Sequence, residues 1–207
     1  MALIKHSSSM SLAYKNTKIA YLSEDQLNAI TQEFMNYYDK SDKNYRKKRG
    51  RYWIAFLFLK HSGARLNEVL SIDDNTDIDF RNSEVKLITL KQKKKTFRIV
   101  PLPANIISEV ATFIAQFPDT KGTVFKGLKD SNFRKKFYEL SQKAGLPKDI
   151  SHPHILRHTR AIDLLKAGVP VTVVQDLLGH SSLTTTAIYL RISAQEAKWI
   201  LKEKGFI

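Results

Sequence analysis

Apolar residues recur along the chain at two spacings, and the switch between them divides it into elements. Ser23-Glu-Asp-Gln26 has the residue types of a capping box, and Leu27, Ile30 and Phe34 follow at helical spacing, which predicts a helix. Tyr52 to His61 is apolar on nearly every side, the mark of a buried helix, and Ser62-Gly63 breaks it. A short helix over Ala64–Leu70 follows, with Arg65 in its first turn. Val85–Leu90 and Thr96–Val100 are instead rich in β-formers and flank Lys91-Gln-Lys93-Lys94-Lys95, which predicts a β-hairpin with a lysine-rich tip. Helical spacing returns in Ala104–Phe117, with Ile106, Val110, Phe113 and Ile114 inward, and Thr123–Phe125 fits a short strand. Asp130 or Ser131 then caps a helix whose Phe133, Phe137 and Leu140 share one side, opposite Arg134, Lys135 and Lys136.

From His152 to Leu190 the pattern reads helix, sharp stop, helix, sharp stop, helix. Ser151 and Pro153 suit the start of the first of these. Ile155, Ile162, Leu164 and Leu165 form its apolar side, and Gly168 stops it before Pro170. Val171, Val174, Leu177 and Leu178 are the next buried stripe, ended by Gly179, and His180 sits at the corner that follows. The last helix of the stretch carries Thr184 to Leu190, with Tyr189 near its end. Beyond it, Ala194–Lys204 is predicted as a final helix with Ala197, Ile200 and Leu201 apolar. Residues 1–20 are polar and irregular and read as an arm, partly disordered.

Charge changes this picture from a helical domain to one with a polyanionic partner. The 207 residues carry a formal charge of +14, with a pI near 9.8. Zero cysteines remove disulfides, thiolate nucleophiles and cysteine-bound zinc. The longest strongly apolar run, Trp53 to Leu59, is too short to span a bilayer, and the first residues lack a signal-peptide pattern. The expectation is a soluble, cytoplasmic protein that binds nucleic acid and no membrane, with a basic ribosome-associated or membrane-surface protein as the competing reading of the composition. Arg46, Lys47, Lys48, Arg49 and Arg51, with Tyr45 and Tyr52 interleaved, suit contacts to phosphate; a solvated helix end or loop explains such a run equally well, and the sequence leaves the two readings level. Lys91, Lys94 and Lys95 at the hairpin tip, with Arg134 and Lys135, complete the candidate DNA-binding set. Asp73, Asp74, Asn75, Asp77 and Asp79 form an acidic loop that lacks the glycine and terminal glutamate of an EF-hand and is read as turn residues with solvated charges.

Candidate chemistry concentrates in the helical stretch. His154 and Arg157 are three apart and share a helix face, His180 is held at a corner, and Tyr189 follows it. Such a set, without a carboxylate cluster, suits chemistry on an anion. A phosphodiester passing through a pentavalent phosphorane gains charge on its non-bridging oxygens, and losing one fixed donor to such charge typically costs about 10²–10³ in rate. A tyrosine hydroxyl can serve as the nucleophile. His154 and His158, four apart, could be read as zinc ligands, but no glutamate lies between them and no third ligand is evident; no metal is expected.

At these residues the chain resembles a known family. His154-Ile-Leu-Arg157-His158, then Leu178-Gly179-His180, then Tyr189, is similar to the C-terminal signature of tyrosine recombinases, the phage integrases and Xer-type resolvases. Ser-Gly-Ala-Arg65-Leu-Asn-Glu68-Val-Leu resembles the segment bearing that family's first catalytic arginine. Together the matches run over about residues 21–205. The resemblance implies an α+β, mainly α-helical catalytic domain over 21–207 with a small antiparallel sheet or hairpin. It implies DNA cutting and rejoining through a 3′-phosphotyrosyl link, with Arg65, Lys93, His154, Arg157, His180 and Tyr189 catalytic and Glu68 and Gly179 supporting. Lys93 is the best match to the family's general-acid lysine, with Lys91 and Lys95 open. No cofactor is implied, because the tyrosyl ester conserves the phosphodiester energy. The implied partner is double-stranded DNA, on which a monomer would assemble to a dimer and then a tetramer, with the C-terminal helix reaching a neighbouring protomer. A separate helical domain that most relatives carry is missing here, so the chain reads either as a domain of a longer protein or as a short member. A catalytically silent DNA-binding regulator and a type IB topoisomerase are the alternatives.

Overall fold

The computed structural model describes residues 20–89 and 96–179, with Lys202 and Gly205 besides. Its first helix, α1 (Glu24–Asp39), starts at the capping box that the sequence spells. Ser23 Oγ accepts the Gln26 N–H at 3.2 Å and Gln26 Oε1 accepts the Ser23 N–H at 3.0 Å, satisfying two of the helix-end donors. Next, α2 (Lys43–Ser62) takes in the basic run as well as the apolar segment, so it begins earlier than the hydrophobic pattern announces. Tertiary partners hold those added turns: Arg49 Nη1 donates to the Tyr37 carbonyl at 3.2 Å, Arg51 Nε to the Val124 carbonyl at 3.0 Å, and Lys47 pairs with Asp119 at 2.7 Å.

The apolar half of α2 is the axis of the core. Phe56 stacks on Phe34 of α1 with ring centroids 4.2 Å apart, and Tyr52 stacks on Phe133 at 5.9 Å. Phe133 belongs to α5 (Asp130–Lys143), whose Phe137 and Leu140 are buried as the spacing predicts. Offset-stacked pairs of this kind contribute about 0.5–1.5 kcal/mol beyond their area. The amphipathic α4 (Ala104–Gln116) buries Ile106, Ile107, Val110 and Phe113. Between α2 and α4 lie the short α3 (Leu66–Leu70) and a three-stranded antiparallel sheet. Its strands are β1 (Ile78–Asp79), β2 (Glu84–Thr89) and β3 (Thr96–Pro101), in that spatial order, with Ile78 opposite Val85 and Val85 opposite Val100. The hairpin was legible in the sequence; the two-residue β1 was not.

Two further helices follow within the described residues. In α6 (His154–Lys166), Ile155, Leu156, Arg157, Thr159, Ala161 and Ile162 are buried. A small second cluster joins Ala161 and Ile162 to Val174 and Leu178 of α7 (Val171–Leu178).

Four local expectations change. Residues 123–125 form a turn, because the Asp74 carboxylate takes the Gly122 and Val124 N–H groups, at 2.8 and 3.1 Å, in place of a sheet partner. For the same reason Asp74 is buried, and so is Asp77, which accepts the Asp73 N–H; those two charges are structural rather than solvated. Lys129, not Asp130 or Ser131, is the N-cap of α5, and Asp130 lies inside the first turn, where its charge suits the helix dipole. Ser151 does not cap α6 either: its hydroxyl donates to the Pro147 carbonyl at 2.7 Å and accepts from Gln142 Nε2 at 2.9 Å.

Candidate active site

Arg65, expected in the first turn of a helix over 64–70, stands instead at the N-cap, just before α3, in extended backbone with φ −75° and ψ 147°. Glu68, in the first turn of α3, reaches back: its Oε2 accepts the Arg65 N–H at 3.0 Å and its Oε1 the Arg65 Nη1 at 3.0 Å. A second arginine completes the group. Arg98 Nη2 donates to Glu68 Oε2 at 2.6 Å, and the Glu68 side chain is 1 % exposed. Burial would raise this carboxyl, but the Arg98 hydrogen bond and charge, then the Arg65 backbone and side-chain bonds, hold it below its ordinary value. Two guanidiniums on one carboxylate leave a net positive charge, and Arg65, about a quarter exposed, presents it to solvent.

Arg98 is the residue that reading the sequence missed. In β3 the apolar Phe97 and Ile99 face solvent, while Arg98 lies on the same side as buried Val100. The signal available was that inverted alternation: pairing Val100 with Val85 puts the arginine on the core face.

Arg157 is buried on α6 and donates from Nη1 to the Gly63 carbonyl at 2.9 Å. This places a guanidinium at the C-terminal end of α2, where the helix dipole favours a cation. Gly63 takes the left-handed conformation at φ 63°, and a Cβ there would come 2.5 Å from Leu178 Cδ2. The turn to Arg65 thus passes directly against α6 and α7. His154 lies at the exposed start of α6, its ring edge-on to His158 with centroids 4.6 Å apart. Partial burial, and then the charges of His158, Arg157, His152 and Arg65, bring its imidazole down to about 4, so it is neutral at pH 7. Solvent on its open side screens part of that effect without changing its direction.

Arg65, Glu68, Arg134, Pro153 and His154 line one cleft of about 400 Å³. The end of α7 joins this neighbourhood through Arg98 rather than through the cleft lining. There Arg98 Nε donates to the Leu177 carbonyl at 2.9 Å, and a Cβ on Gly179 would lie 2.7 Å from Arg98 Nη1. Gly179 is therefore required twice, for its φ of 68° and for the guanidinium pressed against it. Of the residues singled out from the sequence, Arg65, Glu68, His154, Arg157 and Gly179 come into one neighbourhood. Lys91, Lys93, Lys94, Lys95, His180 and Tyr189 lie outside the described residues, as does the predicted final helix apart from Lys202.

The model of the phage integrase family matches residues 20–196. The chain belongs to that family. Among similar proteins, a tyrosine recombinase of Thermosipho africanus is 32 % identical over 180 residues, covering 85 % of this chain and 58 % of that protein. Tyrosine recombinase XerD of Corynebacterium glutamicum is 37 % identical over 165 residues, covering 72 % and 50 %. The chain thus spans about half the length of these relatives. In fold it is similar to the XerA recombinase crystal structure, with a TM-score of 0.71 at 22 % identity over 91 % of this chain and 66 % of that one. It is also similar to the catalytic domain of bacteriophage HP1 integrase, with a TM-score of 0.60 at 22 % identity over 84 % and 88 %. The mainly helical α+β fold with its small antiparallel sheet is therefore that of an integrase catalytic domain.

Around this integrase cleft the basic residues divide by what they touch. Arg46 lies 4.5 Å over the Tyr38 ring and Arg49 4.7 Å over that of Tyr37, so these cations are half-buried against aromatic faces. Lys48 and Lys135 are exposed, and Arg134 is held by Asp130 within its own helix while it lines the cleft. Among the described residues, no three or more His, Cys, Asp or Glu side chains converge to hold a metal ion. No described helix is long and apolar enough to cross a membrane.

Proposed function

We propose that the chain is the catalytic domain, residues 21–207, of a site-specific DNA recombinase that cuts and rejoins strands through a 3′-phosphotyrosyl intermediate. The observation that carries this reading is the buried Glu68 carboxylate that locks Arg65 at the mouth of a cleft shared with His154. A planar fork held in one orientation matches two oxygens of a phosphate, which a lysine's point charge does not. In the proposed reaction Tyr189 attacks the scissile phosphorus, the P–O bond to the 5′-oxygen breaks, and the protein is joined to the 3′-phosphate. Arg65, Arg157 and His180 stabilise the charge on the non-bridging oxygens. Tyrosine's ordinary pKa is about 10, so its proton needs an acceptor, and the neutral imidazole of His154 is suited to take it. Lys93 protonates the departing 5′-oxygen, which leaves as the free 5′-hydroxyl. Rejoining reverses these steps with an incoming 5′-hydroxyl, so no nucleotide cofactor is consumed.

Double-stranded DNA is the proposed substrate, with dimers and then tetramers forming on it and the C-terminal segment about 194–204 contacting a neighbouring protomer. A cytoplasmic, nucleoid-associated protein encoded by a mobile element fits this activity. The solved relatives support the reading: the XerH site-specific recombinase, 25 % identical over 89 % of this chain with a TM-score of 0.68, is described bound to its difH substrate in a pre-cleavage complex. The test is covalent trapping on nicked duplexes drawn from DNA flanking the gene. The wild type should leave a protein–DNA adduct on a denaturing gel, and Tyr189→Phe should bind the same DNA without one. No wild-type adduct on any such duplex would favour a silent DNA-binding regulator. Relaxation of a supercoiled plasmid by single protomers would favour a type IB topoisomerase.

A further inference from the structure

We propose that Arg98 is a positioning residue for the cleavage reaction, one guanidinium that sets Arg65, the α7 corner and the β-hairpin in mutual register. The inference rests on the recombinase reading above and extends it to a residue that touches no substrate. Its geometry is that of a three-way joint. Nη2 donates to Glu68 Oε2 of α3 at 2.6 Å, Nε to the Leu177 carbonyl of α7 at 2.9 Å, and Nη1 reaches Thr89 Oγ1 of β2 at 3.4 Å. Each contact lies shortly before or after a proposed active-site group in the chain: Glu68 beside Arg65, Leu177 before His180, Thr89 before the hairpin tip that carries Lys93.

Three observations favour positioning over simple cohesion. First, Arg98 and Arg65 share one carboxylate, so a tilt of Arg98 tilts Glu68 and, through Oε1, the Arg65 fork. Second, the guanidinium is nearly buried, with 10 % of its side chain exposed, against a carboxylate buried more fully still. Desolvating such a pair offsets most of its Coulombic gain, and an apolar pair of similar volume would hold the fold as well. What an apolar pair cannot supply is direction: a planar group with three fixed donors sets angles between the elements it joins. Third, a Cβ at Gly179 would lie 2.7 Å from Arg98 Nη1, so the guanidinium packs directly against the backbone of the α7 corner.

The test uses the full chain, with Arg98→Lys and Arg98→Gln, on the nicked duplex that traps wild-type adduct. Single-turnover cleavage should fall about 10- to 100-fold in both variants, the scale expected when reacting groups are misplaced by about an ångström. The Kd for the duplex should stay within about threefold, because Arg98 faces the protein. The double variant Glu68→Gln with Arg98→Gln should cleave no more slowly than the slower single variant, as groups acting as one unit do. A merely structural role predicts otherwise: cleavage and affinity falling together, with single effects that multiply. Either of those results overturns the proposal, as does cleavage within about threefold of wild type in both variants. Loss of a cooperative thermal transition in both variants would make Arg98 a folding determinant and overturn it too. Wild-type protein that traps no adduct removes the recombinase reading and this inference with it; wild type that cleaves no faster than the Arg98 variants removes this inference alone.

Discussion

Two arginine-rich regions of this integrase domain put the same side chain to opposite uses. Around Glu68, two guanidiniums converge on one buried carboxylate, and each ends with a fixed direction. Along the first turns of α2, Arg46 and Arg49 lie over tyrosine rings, Lys47 meets a largely exposed Asp119, and Lys48 is in solvent. The first region has its charges held in place by a buried carboxylate; the second spreads charge over a screened surface. A cation that must meet a transition state needs the first kind of setting. A cation that only draws a polyanion toward the protein works in the second.

The largest expected contrast is in stability. Glu68→Ala leaves two guanidiniums facing each other without their shared carboxylate, and should cost about 3–5 kcal/mol, the usual cost of breaking a buried pair from one side. Lys47→Ala removes a pair whose side chains are 40 % and 66 % exposed, and should cost less than about 1 kcal/mol. Urea unfolding of the two variants checks this, and equal costs would erase the distinction between the regions.

A smaller effect concerns acid. His154 is held at about 4 against an ordinary 6.5, so between those values the unfolded chain binds a proton that the folded chain refuses. Its contribution is therefore complete above pH 6.5 and is lost as pH falls toward 4. His61, also near 4 through burial and then Lys60 and Arg160, adds to the same limb. His154→Gln should flatten the loss of urea midpoint between pH 7 and 5 without abolishing it, while Lys48→Gln should leave that slope as in the wild type. An unchanged acid limb in His154→Gln would mean that the cleft does not disfavour the imidazolium.

The smallest effects belong to the exposed cations. Lys48→Gln and Lys135→Gln should each weaken duplex binding a few-fold and make the slope of log K against log salt shallower by about 0.9, one phosphate contact apiece. Salt titrations of the binding constant measure it. A slope unchanged in both variants would assign these lysines to solvation alone.

Much of this domain is legible in its sequence, and the parts that are not share a cause. The Ser23–Gln26 cap, the buried stripe of α2, the hairpin and the Gly179 stop all follow from interactions within a few residues, which periodicity and turn chemistry report. Residues 123–125 fit a strand by pattern yet form a turn, because the Asp74 carboxylate that takes the Gly122 and Val124 N–H groups is far away in the chain. The basic start of α2 was ambiguous because its partners, Asp119 and the Val124 carbonyl, are equally remote. At the site, His154 and Arg157 stand out by spacing, and Arg65 by the family resemblance of its segment. Arg98 does not, since an arginine in a strand near a lysine-rich tip looks like more of the same charge.

By itself the sequence determined, among the described residues, that these helices form, where they stop, and which side chains of suitable chemistry stand at their ends, because those depend on neighbours one to four residues away. Tertiary structure alone decided that Arg98 and Arg65 share a carboxylate, that Arg157 reaches the Gly63 carbonyl, and that the end of α7 rests on β3. Those contacts join residues 30, 94 and 79 positions apart. Their energy is realised only after the intervening chain has folded and water has been excluded from the pair, and no local pattern of residues carries that information.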